Sequence, residues 1–215
     1  MYLELKNVSK EIKRNKVLKN ITIDMEKGRI YGFRGRNGSG KTMLMRIICG
    51  LITASEGEVI INNEVLGKDI SFPRSIGALI ENPEFIDYYT AEKNLQILAS
   101  IKNEIGEKEI KDILSTLDLV TKKKFKTFSL GMKQKLGIAA ALMEKPDIVV
   151  LDEPVNALDE ATVSIVKDML LERKKDGSLC IISCHDKEEL EFLCDEIFCI
   201  NNGEITDHYI VEKGA

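Results

Sequence analysis

One eight-residue run, Gly35-Arg36-Asn37-Gly38-Ser39-Gly40-Lys41-Thr42, constrains this chain more than any other stretch. It fits G-x-x-x-x-G-K-[ST], the phosphate-binding P-loop. Its glycines let backbone N–H groups turn inward around a polyphosphate without Cβ clashes. Lys41 can reach the β- and γ-phosphates, and the Thr42 hydroxyl can ligate Mg²⁺. The flanks agree. Arg29-Ile30-Tyr31-Gly32-Phe33 reads as a short strand, and Met43-Leu44-Met45-Arg46-Ile47-Ile48 reads as a helix whose N-terminus would face the phosphates. Strand, loop and helix in that order predict an α/β core built around a nucleotide. A glycine-rich turn with no ligand has no need of Lys and Thr after it.

The 215 residues suffice for one large domain, and a hydrophobic share of 44% supports a proper core. The net charge of −4 argues against a dedicated nucleic-acid binder. Lys122-Lys123-Lys124 reads as a solvated loop. The five cysteines, Cys49, Cys180, Cys184, Cys194 and Cys199, form no C-x-x-C and sit mostly in apolar runs, so buried thiols in a reducing compartment are expected. With two histidines and no zinc spacing, no structural metal is expected. No apolar stretch approaches the ~20 residues of a membrane-spanning helix, and the alternating N-terminus is no signal peptide. A soluble, cytoplasmic chain is expected, one that meets a membrane only through a partner.

Leu3, Leu5 and Val8, then Ile21, Ile23 and Met25, alternate like two half-buried antiparallel strands, and Glu58–Ile61 like a third before an Asn62-Asn63 turn. Between about Thr90 and Leu119 the spacing changes: Leu95, Ile97, Leu98, Ile101, Ile110, Ile113, Leu114 and Leu117 recur at helical intervals. Asp147–Leu151 is a continuous apolar run suited to a central parallel strand. Ile165, Val166, Met169 and Leu170 then mark a helix that Gly177 would stop. Leu179–Ile182 and Phe198–Ile200 read as the remaining strands. The expected organisation is a single domain over 1–215. Its P-loop core and antiparallel β subdomain span about 1–84 and 146–215, and a helical subdomain is inserted at about 85–145.

Further residues gather at strand ends. Asp152-Glu153 closes the apolar run at 147–151, where Asp152 can hold Mg²⁺ and Glu153 can polarise water for attack on a γ-phosphate. His185 follows the strand at 179–182, level with the phosphates if ligands collect at carboxyl ends of strands. Phe128-Ser129-Leu130-Gly131-Met132-Lys133-Gln134-Lys135 opens a small-residue helix and places the Ser129 and Gly131 N–H groups near its N-terminus, a ready anion site.

In this order the motifs resemble the ATP-binding subunit of an ABC transporter, over nearly the whole chain. The nearest resemblance is to the bacterial subgroup associated with antibiotic and bacteriocin export or self-protection, carried by Ser-Leu-Gly-Met-Lys-Gln at 129–134 and by Ile-Gly-Ala-Leu-Ile-Glu-Asn-Pro at 76–83. The resemblance implies an ABC-type P-loop fold with ATP and Mg²⁺ as ligands. Gly35 to Thr42 would hold the triphosphate, Asp152 the Mg²⁺, and Glu153 would be the general base. His185 would be the switch histidine. Ser129 and Gly131 would belong to a signature motif acting on the partner protomer's ATP, and Asp159 would close the dimer-spanning loop. It further implies a head-to-tail dimer, homomeric or heteromeric, that drives a membrane permease on a separate chain.

Three positions depart from the commoner pattern. Ile12 stands where an adenine-stacking aromatic is usual, which predicts modest ATP affinity with tolerance for GTP. Glu81 replaces a glutamine that approaches Mg²⁺ or the attacking water. Leu130 and Met132 replace a glycine and a glutamine of the signature. Arg36, often proline, adds a cation beside the phosphates. Phe85, Tyr88 and Tyr89 are candidates for permease docking, with packing onto the helical segment as the alternative. A soluble ABC-type ATPase with a non-transport role is the competing reading, although no heptad run separates P-loop from signature. A GTPase is disfavoured by the absence of Asn-Lys-x-Asp, and an inactive scaffold by the presence of Lys41, Thr42, Asp152, Glu153 and His185 together.

Overall fold

The computed structural model describes residues 1–212. Two sheets face each other across the P-loop helix. The first is antiparallel and has the order β2-β1-β4-β5, from β1 (Leu3–Ile12), β2 (Asn15–Met25), β4 (Glu56–Ile61) and the two-residue β5 (Glu64–Val65). The second has the order β10-β9-β3-β8-β7-β6, from β3 (Ile30–Arg34), β6 (Ile76–Leu79), β7 (Ile148–Asp152), β8 (Leu179–Cys184), β9 (Glu196–Asn201) and β10 (Glu204–Ile210). Its strands run parallel except β10, which pairs antiparallel with β9.

Burial on both faces explains why the central strands read as unbroken apolar runs. Alternate side chains serve two cores. Ile148 and Val150 of β7 join the cluster under the antiparallel sheet with α1 (Lys41–Ile48), whereas Val149 and Leu151 join the cluster on the opposite face. Leu179 and Ile181 of β8 point to the first cluster, and Cys180 and Ile182 to the second.

That second cluster takes in the helices α2 (Ala91–Lys102), α3 (Glu107–Thr116), α4 (Leu130–Leu142), α5 (Glu160–Lys175) and α6 (Lys187–Leu193). The helical periodicity expected over 90–119 resolves into two helices. Asn103 ends α2 in the left-handed region (φ 56°), and the Glu109 carboxylate accepts from the Gly106 N–H at 3.0 Å to open α3. Ile101 therefore falls outside the buried stripe and is exposed. Helix α5 begins on Asp159, whose carboxylate accepts from the Thr162 N–H at 2.8 Å, and that hydrogen bond holds the Asp159 carboxyl below its ordinary range. Gly177 follows its C-cap, Asp176.

The strands β5, β6 and β10 and the helix α6 lie beyond the sequence reading. Strand β6 is four residues long and contains Gly77, a residue that ordinarily weakens a strand. A Cβ there would lie 1.7 Å from the Ala141 carbonyl oxygen of α4, so helix and strand meet only because position 77 has no side chain. Strand β10 is an edge strand with mostly exposed side chains and no clean alternation, and α6 is only seven residues long.

Cys49, Cys180, Cys184 and Cys194 are buried and Cys199 is half-buried. Burial pushes the Cys49 and Cys180 thiols up to about 12 and raises Cys184 as well. Brief alkylation of the native chain at pH 8 should therefore label Cys199 first and leave Cys49 and Cys180 unmodified until denaturant is added. Peptide mass spectrometry reads the order, and early labelling of Cys49 or Cys180 would contradict the packing.

Candidate nucleotide site

The candidate residues converge because four parallel strands deliver them at their carboxyl ends, where open α/β sheets collect ligands. The P-loop follows β3, Asp152 ends β7 and Glu153 follows it, His185 follows β8 and Glu81 follows β6. Between them lies a cleft of about 620 Å³ whose wall includes Gly38, Lys41, Thr42, Glu81, Asp152 and Glu153.

The loop is built for an anion. Gly40 caps α1 with φ 114°, a conformation open to glycine, and so turns the first amides of the helix toward the cleft. Lys41 is buried, and its ammonium donates to the carbonyls of Gly35 at 2.8 Å and Arg36 at 3.3 Å. It is thus held over the loop and 3.9 Å from the Glu153 carboxylate. Ser39 is buried too, and its Oγ is the single buried side-chain polar atom without a partner among the described residues. Such an atom costs free energy unless a ligand meets it, which fits a phosphate oxygen seated in the loop. Arg36, Asn37 and Gly38 are exposed at its tip.

Across the cleft the Thr42 hydroxyl donates to Asp152 Oδ2 at 2.6 Å, and the Ser183 hydroxyl donates to the other carboxylate oxygen. Hydroxyl and carboxylate side by side suit a hard cation that takes oxygen ligands. No group of three or more His, Cys, Asp or Glu residues able to hold a metal occurs among the described residues. A Mg²⁺ here would rely on Thr42, Asp152, water and phosphate oxygens, its usual habit.

Glu153 sits in the left-handed region (φ 47°). Its carboxylate accepts from the Asn156 amide, and His185 Nδ1 lies 4.0 Å away. The His185 side chain is exposed and borders a neighbouring recess with Cys184, Asp186 and Glu189. Glu81 lines the cleft, with its carboxylate paired to Arg46 at 2.7 Å.

Ser129 and Gly131 lie elsewhere. Ser129 caps α4 by accepting from the Met132 N–H at 3.2 Å, and the two residues border a separate recess with Lys135 and Asp159. Leu130 borders both spaces. Ile12 stands at the exposed end of the β1–β2 hairpin, outside the cleft wall, and Val17 is the apolar residue of β2 that lines it. Val17 is brought there by the β9–β10 turn, where Gly203 donates to the Ser39 carbonyl at 2.9 Å and accepts from the Lys19 N–H at 2.8 Å. Such contacts between distant segments leave no local pattern to read.

Gln134 and Asn156 also line the cleft and were not singled out as site residues. A glutamine buried within the apolar face of α4 was the available signal. Phe85 packs edge-to-face on Phe125 at 5.4 Å, as the packing alternative has it, whereas Tyr88 and Tyr89 remain exposed.

A P-loop, a carboxylate pair and a histidine at the strand ends of such a sheet define a P-loop nucleotide-binding ATPase. Residues 18–156 match the ABC transporter family model, and the chain belongs to that family as an ATP-binding, ATP-hydrolysing subunit. It is 48% identical, over 98% of both chains, to an uncharacterized ABC transporter ATP-binding protein, YybJ, of Bacillus subtilis (strain 168). It is 33% identical to the lantibiotic transport ATP-binding protein SrtF of Streptococcus pyogenes, over 98% of this chain and 90% of that one. A solved dimeric bacterial ABC transporter cassette, MJ0796, superposes with a TM-score of 0.89 at 26% identity, covering 99% of this chain and all of that one.

Proposed function

We propose that the chain powers a separate membrane permease that exports an antibiotic or peptide, and that it works as a head-to-tail dimer around two ATP molecules. The cargo reading rests on the similarity to SrtF and to the bacitracin transport ATP-binding protein BcrA of Enterococcus faecalis, the latter 34% identical over 98% of this chain. The single observation that carries the chemistry is the convergence of Lys41, Thr42, Asp152 and Glu153 on one cleft. Dimerisation is supported by the separation of Ser129 and Gly131 from their own P-loop cleft, which leaves that anion site for a second copy.

In this reading the P-loop amides, Ser39 and Lys41 hold the phosphates and balance their charge. Thr42 and Asp152 hold Mg²⁺, which when bound adds positive charge beside the phosphates. Glu153 accepts a proton from the attacking water as oxygen joins the γ-phosphorus and the bond to the β–γ bridging oxygen breaks, giving ADP and phosphate. His185 stands by the γ-phosphate as a donor. The residues about 85–145 act as a helical subdomain that presents the signature, and exposed Tyr88 and Tyr89 meet the permease. No helix among the described residues is long and apolar enough to cross a membrane; in this reading the chain meets the cytoplasmic face of the membrane through its permease. Turnover per chain measured against protein concentration tests this. A rise with concentration supports a dimeric active unit, and failure to bind ATP overturns the reading. Co-purification with a membrane protein separates transport from a soluble role.

Glu81 is assigned beside the metal, but its exposed pair with Arg46 is worth only about 0–1 kcal/mol. Glu81→Gln should keep nucleotide binding and reduce turnover by less than Glu153→Gln does. Equal losses in steady-state ATPase assays would remove the distinction between the two carboxylates.

A further inference from the structure

The Glu153 carboxylate must be aimed, and its backbone is unusual: φ is 47° in a non-glycine residue, directly before Pro154. A left-handed conformation at a side-chain-bearing residue persists where its surroundings hold it. Three side chains do so here, the first being Ser183, whose hydroxyl oxygen accepts from the Glu153 N–H at 2.9 Å. The Asn156 amide donates to the carboxylate itself. Gln134 reaches from α4, and its Nε2 donates to the carbonyls of Glu153 at 3.3 Å and Pro154 at 3.2 Å. Both acceptors are carbonyl oxygens, so only the amide nitrogen can serve them, and the orientation of the Gln134 amide is fixed by chemistry. Gln134 is also buried, and it sits on the cleft wall.

Its position along α4 gives the contact a meaning. Ser129 caps that helix, and Gln134 lies little more than one turn further along it. One short, packed segment thus carries the anion site that faces a partner and the clamp on the chain's own carboxylate. We propose that Gln134 is a positioning residue for hydrolysis. Together with Ser183 it fixes the backbone from which Glu153 projects, and it alone makes the placement of Glu153 depend on the seating of the signature helix. Nucleotide gripped by Ser129 and Gly131 in one site then bears on the carboxylate of the other. The proposal rests on the reading of Glu153 as general base.

The test uses the full chain with Gln134→Met, close in length and without a donor, and Gln134→Glu, which sets an acceptor against two carbonyls. An error near 1 Å in placing a reacting group costs about 10²-fold, so kcat should fall by about that factor while ATP affinity stays within about threefold. The thermal midpoint of Gln134→Met should stay close to wild type, whereas Gln134→Glu, a buried acceptor facing two carbonyls, should lower it. Turnover within about twofold of wild type in both variants overturns the proposal, since positioning effects act on kcat. So does weakened ATP binding with kcat unchanged, or loss of fold in both, because Gln134 would then be structural only. Glu153→Gln is run beside them. If it is inactive while Gln134→Met is active, only the role of Gln134 fails; if it turns over normally, the assignment of Glu153 fails and the inference with it.

Discussion

Glu153→Gln should lower ATP turnover by about 10²- to 10⁴-fold, the usual contribution of a positioned general base. The amide keeps the length and shape of the side chain but cannot take the proton from water. Its neighbours predict the rest of the phenotype. The carboxylate faces Lys41 at 3.9 Å and His185 at 4.0 Å, and it accepts from Asn156. Replacing it leaves Lys41 bonded to the Gly35 and Arg36 carbonyls, so the P-loop should keep its form and its affinity for ATP. It also removes a negative charge beside a negatively charged phosphate, which favours the ATP-bound form. The variant should therefore bind ATP, hydrolyse it very slowly and accumulate as an ATP-dependent dimer on size exclusion. Turnover within tenfold of wild type would sink the assignment of Glu153. Slow turnover with no ATP-dependent dimer would instead point to a second, different ATPase chain completing the site.

The P-loop and strand-end residues of the candidate site were legible because they are local in sequence. The P-loop is contiguous, and Asp152, Glu153 and His185 each follow an apolar run that reads as a buried strand. The strand gives the position, and the carboxyl end of the sheet gives the level. The signature segment was visible as a helix start, and Ser129 does cap α4. What escaped depends on contacts between distant segments. Val17 reaches the cleft because the β9–β10 turn ties β2 to the P-loop through Gly203, an arrangement that alternation in β2 does not encode. Gln134 acquires its role only when α4 and the segment after β7 come together around Glu153. Edge strand β10 lacks the apolar alternation that makes inner strands readable, because most of its side chains face water. The break at Asn103 was hidden because both α2 and α3 satisfy the same helical spacing.

Gly77→Ala should produce the largest loss of stability of any single methyl addition to the second sheet. The motif at 76–83 carries a family resemblance, and packing supplies a physical reason for its glycine. Strand β6 pairs with β7 through Gly77 and Val149, and α4 crosses it so closely that an added Cβ would lie 1.7 Å from the Ala141 carbonyl oxygen and 2.9 Å from Pro146. Backbone cannot swing aside as a side chain can. Either β6 leaves its register beside β7 or α4 moves off the sheet. Overpacking of a well-packed core typically costs about 1–3 kcal/mol, and a clash with main chain belongs at or above the top of that range. For a chain of this size about 3 kcal/mol lowers the thermal midpoint by roughly 6–12 °C. The effect should extend to function, because α4 carries Ser129, Gly131 and Gln134 and β6 leads into Glu81. Even below its melting temperature the variant should hydrolyse ATP poorly while the P-loop, on β3 and α1, still binds nucleotide. Calorimetry and nucleotide titration check the two halves separately. A midpoint within about 2 °C of wild type, equivalent to less than about 1 kcal/mol, would show that helix and strand can part at little cost, and the close α4–β6 contact would not be what fixes the signature helix against the catalytic strands.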